Sequence, residues 1–281
     1  GTVATDSSGN GHSGTYFGGP ILGVAGVGAQ ASTAMGLDGS NDRATVNAPI
    51  TPSFTAEVWA WSQTPAWTKD GWIASSRDAN GFIIHPSSSG GRSWSGFLVA
   101  SNATTHLIGT FTPPDIQGWH HYAITYDAGS NTARMFFDGE MVVENTMSVS
   151  RGSSAGINVN IGYDNATGSR YGSGAVDEFA LFPTALTQAD MLDRFNASLP
   201  VFSSIPQEPV FDLRTLEAGT YYLRVIGGST PQSVNIEFDA PIRGQTHETS
   251  SHPDRDVLHG GDGNDYLVGN SGIDRIFGDS G

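Results

Sequence analysis

Through the first 200 residues or so, apolar and polar positions alternate in short runs, with one exception near the end. Aromatic and β-branched residues fill the runs at 54–61, 72–75, 81–85, 97–100, 106–111, 120–126, 133–137 and 159–162. Clusters of Gly, Asn, Asp and Ser separate them, so a turn signal recurs about every ten residues. Many short strands at that spacing predict an all-β sandwich or jelly roll. The exception begins at Thr187. Thr187 and Asp190 have the spacing of a capping box, and Leu186 and Met191 that of a hydrophobic staple. Ala189, Leu192 and Phe195 then fall on one face, which predicts a helix after Thr187.

The pattern changes twice more. Pro200, Pro206 and Pro209 mark a linker, after which 219–226 and 233–238 predict an antiparallel strand pair around a loop at 227–231. This zone is too small for a large core of its own, and its strands are expected to bridge the neighbouring parts. From residue 250 the apolar positions follow a nine-residue cycle. The expected division is therefore 1–199 for the sandwich, 200–249 for linking strands and 250–281 for the repeats.

One unit of the cycle is Gly260-Gly261-Asp262-Gly263-Asn264-Asp265-Tyr266-Leu267-Val268, and the next runs from Gly269 through Asp274 and Ile276 to Phe277. A degenerate unit from Ser251 to His259 precedes them and keeps Asp256 and Leu258, and a fourth begins at Gly278. The pattern is G-G-x-G-x-D-x-U-x, with U large and apolar. Calcium is a hard cation that takes six to eight oxygens. Glycines let the turn curl until backbone carbonyls converge, and the aspartate adds charge. The apolar residue after it lies on a short strand and points into a thin core.

These units resemble the RTX, or hemolysin-type, nonapeptide repeats, which form a calcium-binding parallel β-roll. The resemblance implies calcium as the bound cofactor. Two units make one coil of about 18 residues, so Asp256 and Asp274 should lie on the same side and share an ion. Carried over residue by residue, that ion would see Ser251, Pro253 and Asp256 from one coil and Asn270, Gly272 and Asp274 from the next. Gly260, Asp262 and Asp265 would supply a second half-site. In the first unit Ser251, His252 and Asp254 replace glycines, a departure that bears on its carbonyl geometry. Without calcium so few coils should not fold, because ion binding supplies the folding free energy.

Composition narrows the function. Among 281 residues there is no cysteine, so disulfides, thiolate nucleophiles and Cys-based zinc sites are excluded. A net charge of −15 with only 13 Lys and Arg disfavours nucleic acid and anionic membrane as partners. No run approaches the roughly 20 apolar residues of a membrane-spanning helix, so membrane insertion is not expected. The chain opens on Gly1 and stops inside a repeat, which suggests a piece of a longer polypeptide. The RTX resemblance implies a bacterial protein exported by type I secretion and folded by extracellular calcium. On that reading the sequons at Asn102, Asn165 and Asn196 are coincidental.

Phrases in the first 200 residues carry a second resemblance. They include Asp38-Gly39-Ser40-Asn41-Asp42, Phe54-Thr55-Ala56-Glu57-Val58-Trp59, Trp119-His120-His121-Tyr122, Phe137-Asp138-Gly139 and Val176-Asp177-Glu178-Phe179. Their order resembles LamG-like domains of the concanavalin A-like lectin/glucanase superfamily. The resemblance implies a jelly-roll sandwich, with Phe54, Trp59 and Trp119 in its core. It also implies a calcium joining the 38–42 loop to Asp177, with Asp42 and Asp177 as carboxylate ligands and Gly39 or Asn41 adding oxygens. The alternative for that loop is an ordinary Asx turn.

His120 and His121 are adjacent on a strand and point to opposite faces, so they cannot act together. The same holds for Asp177 and Glu178. No paired-carboxylate run of the glycosidase kind, Ser–His–Asp motif, P-loop or HExxH appears, so no catalysis is expected. Extracellular glycans are the expected partners of the sandwich. Trp67, Trp72 and Trp94 lie in Gly/Ser-rich surroundings and are candidate stacking platforms, with Arg77 and Asp78 as hydrogen-bonding neighbours. The alternative places these tryptophans in the packing. Tyr163 and Tyr171 are similar candidates. The rival function is a structural spacer or protein-binding adhesin module, with an accessory domain of a polysaccharide-degrading enzyme behind it.

Overall fold

A computed structural model describes residues 2–28, 32–86, 90–166, 170–198, 257–259 and 275–277. The chain divides into two compact units, Gly1–Ser203 and Ser204–Gly281. The strands expected at 219–226 and 233–238 lie outside the described residues.

The first unit is a β-sandwich. One sheet has eight strands, in the order β1 (Val3–Ala4), β2 (Gly14–Phe17), β5 (Arg43–Ile50), β14 (Ser154–Ile161), β7 (Ala74–Ser76), β8 (Phe82–Pro86), β9 (Trp94–Val99) and β10 (Thr105–Phe111). The other has seven, in the order β13 (Glu140–Thr146), β12 (Thr132–Phe137), β11 (Gly118–Asp127), β6 (Phe54–Ser62), β17 (Ser173–Phe182), β4 (Thr33–Asp38) and β3 (Ile21–Ala25). All pairings in both are antiparallel. Late strands insert between early ones: β14 sits between β5 and β7, and β17 between β4 and β6. A jelly roll crosses between sheets in this way.

Each run expected to be a strand is one, with ends shifted by a few residues. Alternate side chains of the two sheets meet in one apolar cluster. Phe54, Val58, Tyr122, Ile124 and Met135 come from one sheet, and Phe82, Ile84, Trp94, Leu98 and Val159 from the other. The layers press closely at Gly96, where a Cβ would stand 3.0 Å from Ile124 and 3.2 Å from Met135. An alanine there must push one layer away from the other.

Strand β6 is buried on both faces. Phe54, Ala56, Val58 and Ala60 join the core between the sheets. On the opposite face, Glu57 accepts from Arg194 Nε at 2.6 Å, and the Trp59 ring stacks on Phe195 at 5.4 Å. Both partners belong to α1 (Gln188–Ser198), which covers that face. The helix begins as its sequence predicts. Thr187 Oγ1 accepts from the Asp190 N–H at 3.2 Å, and Asp190 Oδ2 accepts from the Thr187 N–H at 2.7 Å. Leu186 packs on the cluster that holds Met191. The buried stripe, however, is Met191 and Phe195, while Ala189 is exposed. The staple residue turned the helix, because a long Met side chain buries more apolar area than Ala. Thr187→Ala removes the oxygen that caps the first turn. It should lower the stability of this unit by about 1 kcal/mol, read as a shift in the urea midpoint with unchanged m-value.

In the second unit β18 (Val257–His259) pairs in parallel with β19 (Arg275–Phe277). Val257 faces Arg275, Leu258 faces Ile276 and His259 faces Phe277, a register of 18 residues.

Candidate functional site

Strand β14 ends at Ile161 and the chain turns at Gly162, whose φ is +82°. It then enters a short hairpin of β15 (Tyr163–Asp164) and β16 (Arg170–Tyr171), with Tyr163 opposite Tyr171 and Asp164 opposite Arg170. Two glycines allow the hairpin to lie flat on the sandwich. A Cβ at Gly162 would come within 2.8 Å of Leu37, and one at Gly172 within 2.5 Å of Trp72.

A buried carboxylate anchors the hairpin. Asp164 has no exposed side-chain surface and takes a forked pair from Arg77, Nε at 2.6 Å and Nη2 at 2.8 Å. Ser75 Oγ at 3.4 Å, the Ala166 N–H at 3.2 Å and Arg170 Nη1 at 3.6 Å complete its surroundings. The hydrogen bonds that Arg77 donates to Asp164 raise the Arg77 pKa further. Breaking such a pair by removing one partner leaves an uncompensated buried charge, which is far costlier than losing a surface bridge.

Beside the hairpin, strands β5, β14 and β7 present a polar outer face. Thr45 Oγ1 donates to Asn160 Oδ1 at 3.0 Å, and Asn47 Nδ2 to Asn158 Oδ1 at 3.2 Å. Asp78 Oδ2 accepts from the Asn158 backbone at 2.7 Å and from its side chain at 3.1 Å. The half-buried rings of Tyr163 and Tyr171 stack at 4.5 Å. Burial and the neighbouring Tyr171 push the Tyr163 phenol above its usual pKa, so it stays a neutral donor. Burial pushes the nearby His85 imidazole down, and its ring lies flat on Phe97 at 5.2 Å. The face therefore offers aromatic surface next to amide, hydroxyl and guanidinium groups.

The three tryptophans expected as platforms are not on it. Trp67, Trp72 and Trp94 are 2%, 1% and 0% exposed, so no sugar ring can reach them. Trp67 is fixed by its indole N–H on the Arg92 carbonyl at 3.1 Å, and it meets Trp72 edge-on. Trp72 contributes indirectly, as the floor under Gly172. Arg77 does border the hairpin through Asp164, and Asp78 sits on Asn158, so both are already engaged as described.

The calcium expected between the 38–42 loop and Asp177 meets a geometric obstacle. In the β4–β17 register Ser173 faces Asp38, whereas Asp177 lies four residues further along, opposite Trp59. At ~3.3 Å per residue the two ends are ~13 Å apart. Asp42 is buried and accepts from the Asp38 N–H at 3.1 Å, and burial raises its pKa. Asn41 turns its carbonyl against Gly18, and Gly39 turns at φ +80° against Ser173. Asp38 accepts from the Ser40 N–H at 2.8 Å, the hydrogen bond of an Asx turn. Asp177 accepts from the Val27 N–H at 3.0 Å and Ser32 Oγ at 3.2 Å. The family resemblance placed Asp42 and Asp177 on one ion; the register sets them apart. Among the described residues no group of three or more His, Asp or Glu is arranged to hold a metal.

The two histidines part as expected. His120 Nδ1 meets Asp138 Oδ2 at 2.8 Å, and His121 Nε2 lies 3.4 Å from Glu57 on the opposite face. Ser251, Pro253, Asp256, Gly260, Asp262, Asp265, Asn270, Gly272 and Asp274 lie outside the described residues. The parallel pair beside them bears on calcium nonetheless. Its 18-residue register equals the spacing from Asp256 to Asp274, as two nonapeptides per coil require.

Comparison with known proteins agrees with both units. Residues 38–191 match the model of the concanavalin A-like lectin/glucanases superfamily, and residues 253–281 match the RTX calcium-binding nonapeptide repeat. The chain belongs to the concanavalin A-like superfamily and carries RTX repeats at its C-terminal end. Among solved structures, the botulinum neurotoxin serotype G binding domain aligns with a TM-score of 0.53 and 16% identity, covering 68% of this chain and 48% of that one. The serotype D binding domain aligns at 0.51 and 13%, with the same coverage. The chain thus spans about half the length of these neurotoxin domains. Domain 4 of AbnA, an extracellular arabinanase from Geobacillus stearothermophilus in complex with arabinotriose, aligns at 0.53 and 18%, covering 68% of this chain and 91% of that domain. At these identities the likeness is one of fold. No curated protein matches the chain.

Proposed function

We propose that this chain is a calcium-binding, non-catalytic, glycan-binding module of a secreted bacterial RTX protein of the adhesin type. The observation that carries the reading is the Tyr163–Tyr171 pair, stacked at 4.5 Å and held by the buried Asp164–Arg77 fork beside the polar ladder of β5 and β14. Sugars bind by laying an apolar ring face on an aromatic surface while their hydroxyls meet fixed donors and acceptors. A hairpin anchored by a buried ion pair supplies both without an ordering cost on binding. A domain of the same fold is known in complex with arabinotriose, which supports a sugar as the ligand class.

The C-terminal repeats have a separate task. Asp256 and Asp274, with the carbonyls of Ser251, Pro253, Asn270 and Gly272, would hold an ion between coils, and Gly260, Asp262 and Asp265 a half-site on the other side. Calcium neutralises carboxylates that otherwise repel, and so drives the coils to fold. Low calcium inside a cell and high calcium outside would then keep this part unfolded during type I export and fold it afterwards.

A glycan array in millimolar calcium tests the recognition function. Hits should weaken roughly tenfold to thirtyfold in Tyr171→Ala, the loss expected of a buried aromatic contact. A thermal melt of the same variant should show the sandwich intact. Absence of any hit at high protein density would sink the glycan reading and leave a spacer or protein-binding module.

A further inference from the structure

The side of the hairpin nearest β2 and β5 holds an arginine unlike the others. The chain has 28 acidic residues against 13 basic ones, and most described arginines are paired with acids. Arg77 and Arg170 serve Asp164, Arg134 serves Glu144 and Arg194 serves Glu57. Arg151 is spent on the carbonyls of Asn80, Gly81 and Val99, and Arg92 on that of Pro114. Arg43 has no ion pair among the described residues. Its guanidinium carbon lies 4.4 Å from the ring centre of Phe17 and 5.2 Å from that of Tyr163. Its one side-chain hydrogen bond among the described residues is a long one, from Nη1 to Tyr171 Oη at 3.5 Å.

That arrangement leaves particular atoms free. The two rings lie within cation–π reach of the guanidinium carbon and offer it no hydrogen-bond acceptor from their faces. The N–H groups lie in the plane, and a guanidinium has five of them. Arg43 is half-buried, so the residue is in part open to solvent, and Phe17 beside it is 41% exposed. The register that pairs Phe17 with Arg43 across β2 and β5 fixes the two side chains together on one face. A planar edge of donors next to an open aromatic ring matches a group with a planar anion and an apolar face. A carboxylate accepts two parallel N–H bonds from such an edge, and a sugar ring covers the phenyl face.

We propose that this face binds the carboxylate of an acidic sugar, a uronic acid residue in a polysaccharide, with Arg43 as its anion-binding group. The inference rests on the glycan-binding reading above and names the substrate class of that site. The overall charge of −15 opposes an anionic ligand at long range, but that repulsion is largely screened beyond about 8 Å in physiological salt. A direct charge-assisted pair acts well inside that distance.

Titration calorimetry of the full chain at fixed free calcium tests the proposal with three short probes. These are trigalacturonate, neutral galactotriose and a sulfated galactose trisaccharide. Trigalacturonate should bind about tenfold or more tighter than the neutral sugar, as expected for hydrogen bonds to a charged group. Arg43→Gln should erase that difference, leaving both probes at the neutral level, and Arg43→Lys should restore part of it. Equal binding of acidic and neutral probes by the unaltered protein overturns the carboxylate assignment while leaving glycan binding intact. Tighter binding of the sulfated probe than of trigalacturonate overturns it too. If no probe binds and a broad array is also silent, the glycan reading itself falls. The comparison of probes on the unaltered protein needs no variant, so it stands even if a substitution at Arg43 disturbs folding.

Discussion

Excess chelator should abolish the β-structure of the C-terminal repeats and leave the sandwich folded. The repeats offer only Leu258, Leu267 and Ile276 as regularly spaced apolar residues, far too little area to offset the entropy of ordering some thirty residues. Against folding stands the repulsion of Asp256 and Asp274, which a coil of two nonapeptides would bring near each other, since they are 18 residues apart in sequence. A bound ion reverses that repulsion. An ion at 1,000 times its dissociation constant contributes about 4 kcal/mol, enough to decide a marginal fold. The calcium-minus-chelator circular dichroism difference should therefore show added β signal, and thermal scans should show one transition that moves with calcium and one that does not. Asp274→Ala should raise the calcium needed for the first transition by roughly tenfold or more. The sandwich transition should stay put, because Asp42 and Asp177 lie at different ends of the β4–β17 pairing. An unchanged far-ultraviolet spectrum on chelation would refute the folding role.

The second large effect is expected at Trp94. Its side chain is fully buried on β9 and meets Tyr122 edge-on at 5.4 Å, at the heart of the contact between sheets. Trp94→Ala should cost about 3–5 kcal/mol, through lost burial and the cavity left behind. For a unit of this size that corresponds to a fall in melting temperature of roughly 6–20 °C. Trp94→Phe should cost much less, since it keeps a ring in place and removes a buried indole N–H that has no hydrogen-bond partner among the described residues. Stability and sugar binding thus separate two kinds of aromatic residue. A stacking platform loses ligand and keeps its melting temperature, as expected of Tyr171→Ala. A core residue does the reverse. A melting temperature unchanged in Trp94→Ala would contradict the packing described above.

Those two expectations mark where sequence reasoning was sufficient and where it was not. The period-two runs were enough to find the strands, since alternation is imposed by the strand itself and needs no partner. The capping box at Thr187 and Asp190 was equally plain, because both hydrogen bonds form within one turn. The helix face was less plain. Ala189 and Leu192 satisfied the periodicity, yet the stripe that packs on Ala123 and Phe136 runs through Met191. Which apolar residue leads depends on what lies beneath, and that surface comes from strands more than fifty residues earlier.

The aromatic residues show the same division. Trp67 and Trp72 sit among glycines, serines and charges, which locally reads as exposed loop. They are buried because the chain around Trp67 hydrogen-bonds to Gly90 and Gly91 and closes over them. No neighbour in sequence announces that closure. Tyr163 and Tyr171 are stacked and half-exposed on a hairpin that Asp164, Arg77 and the two flanking glycines help to hold in place. Arg43 carried no signal at all, because its character comes from Phe17 across one strand and Tyr163 from another sheet position.

By itself the sequence determined the all-β class, the start of the helix and the nine-residue calcium repeat, since each is a periodicity or a contact within a few residues. Only the tertiary structure decided which aromatic rings face outward, that Asp42 and Asp177 stand apart, and that Arg43 has no ion pair among the described residues. Those depend on strand register and on layers closing from distant parts of the chain, where a shift of one residue would turn every side chain to the other face.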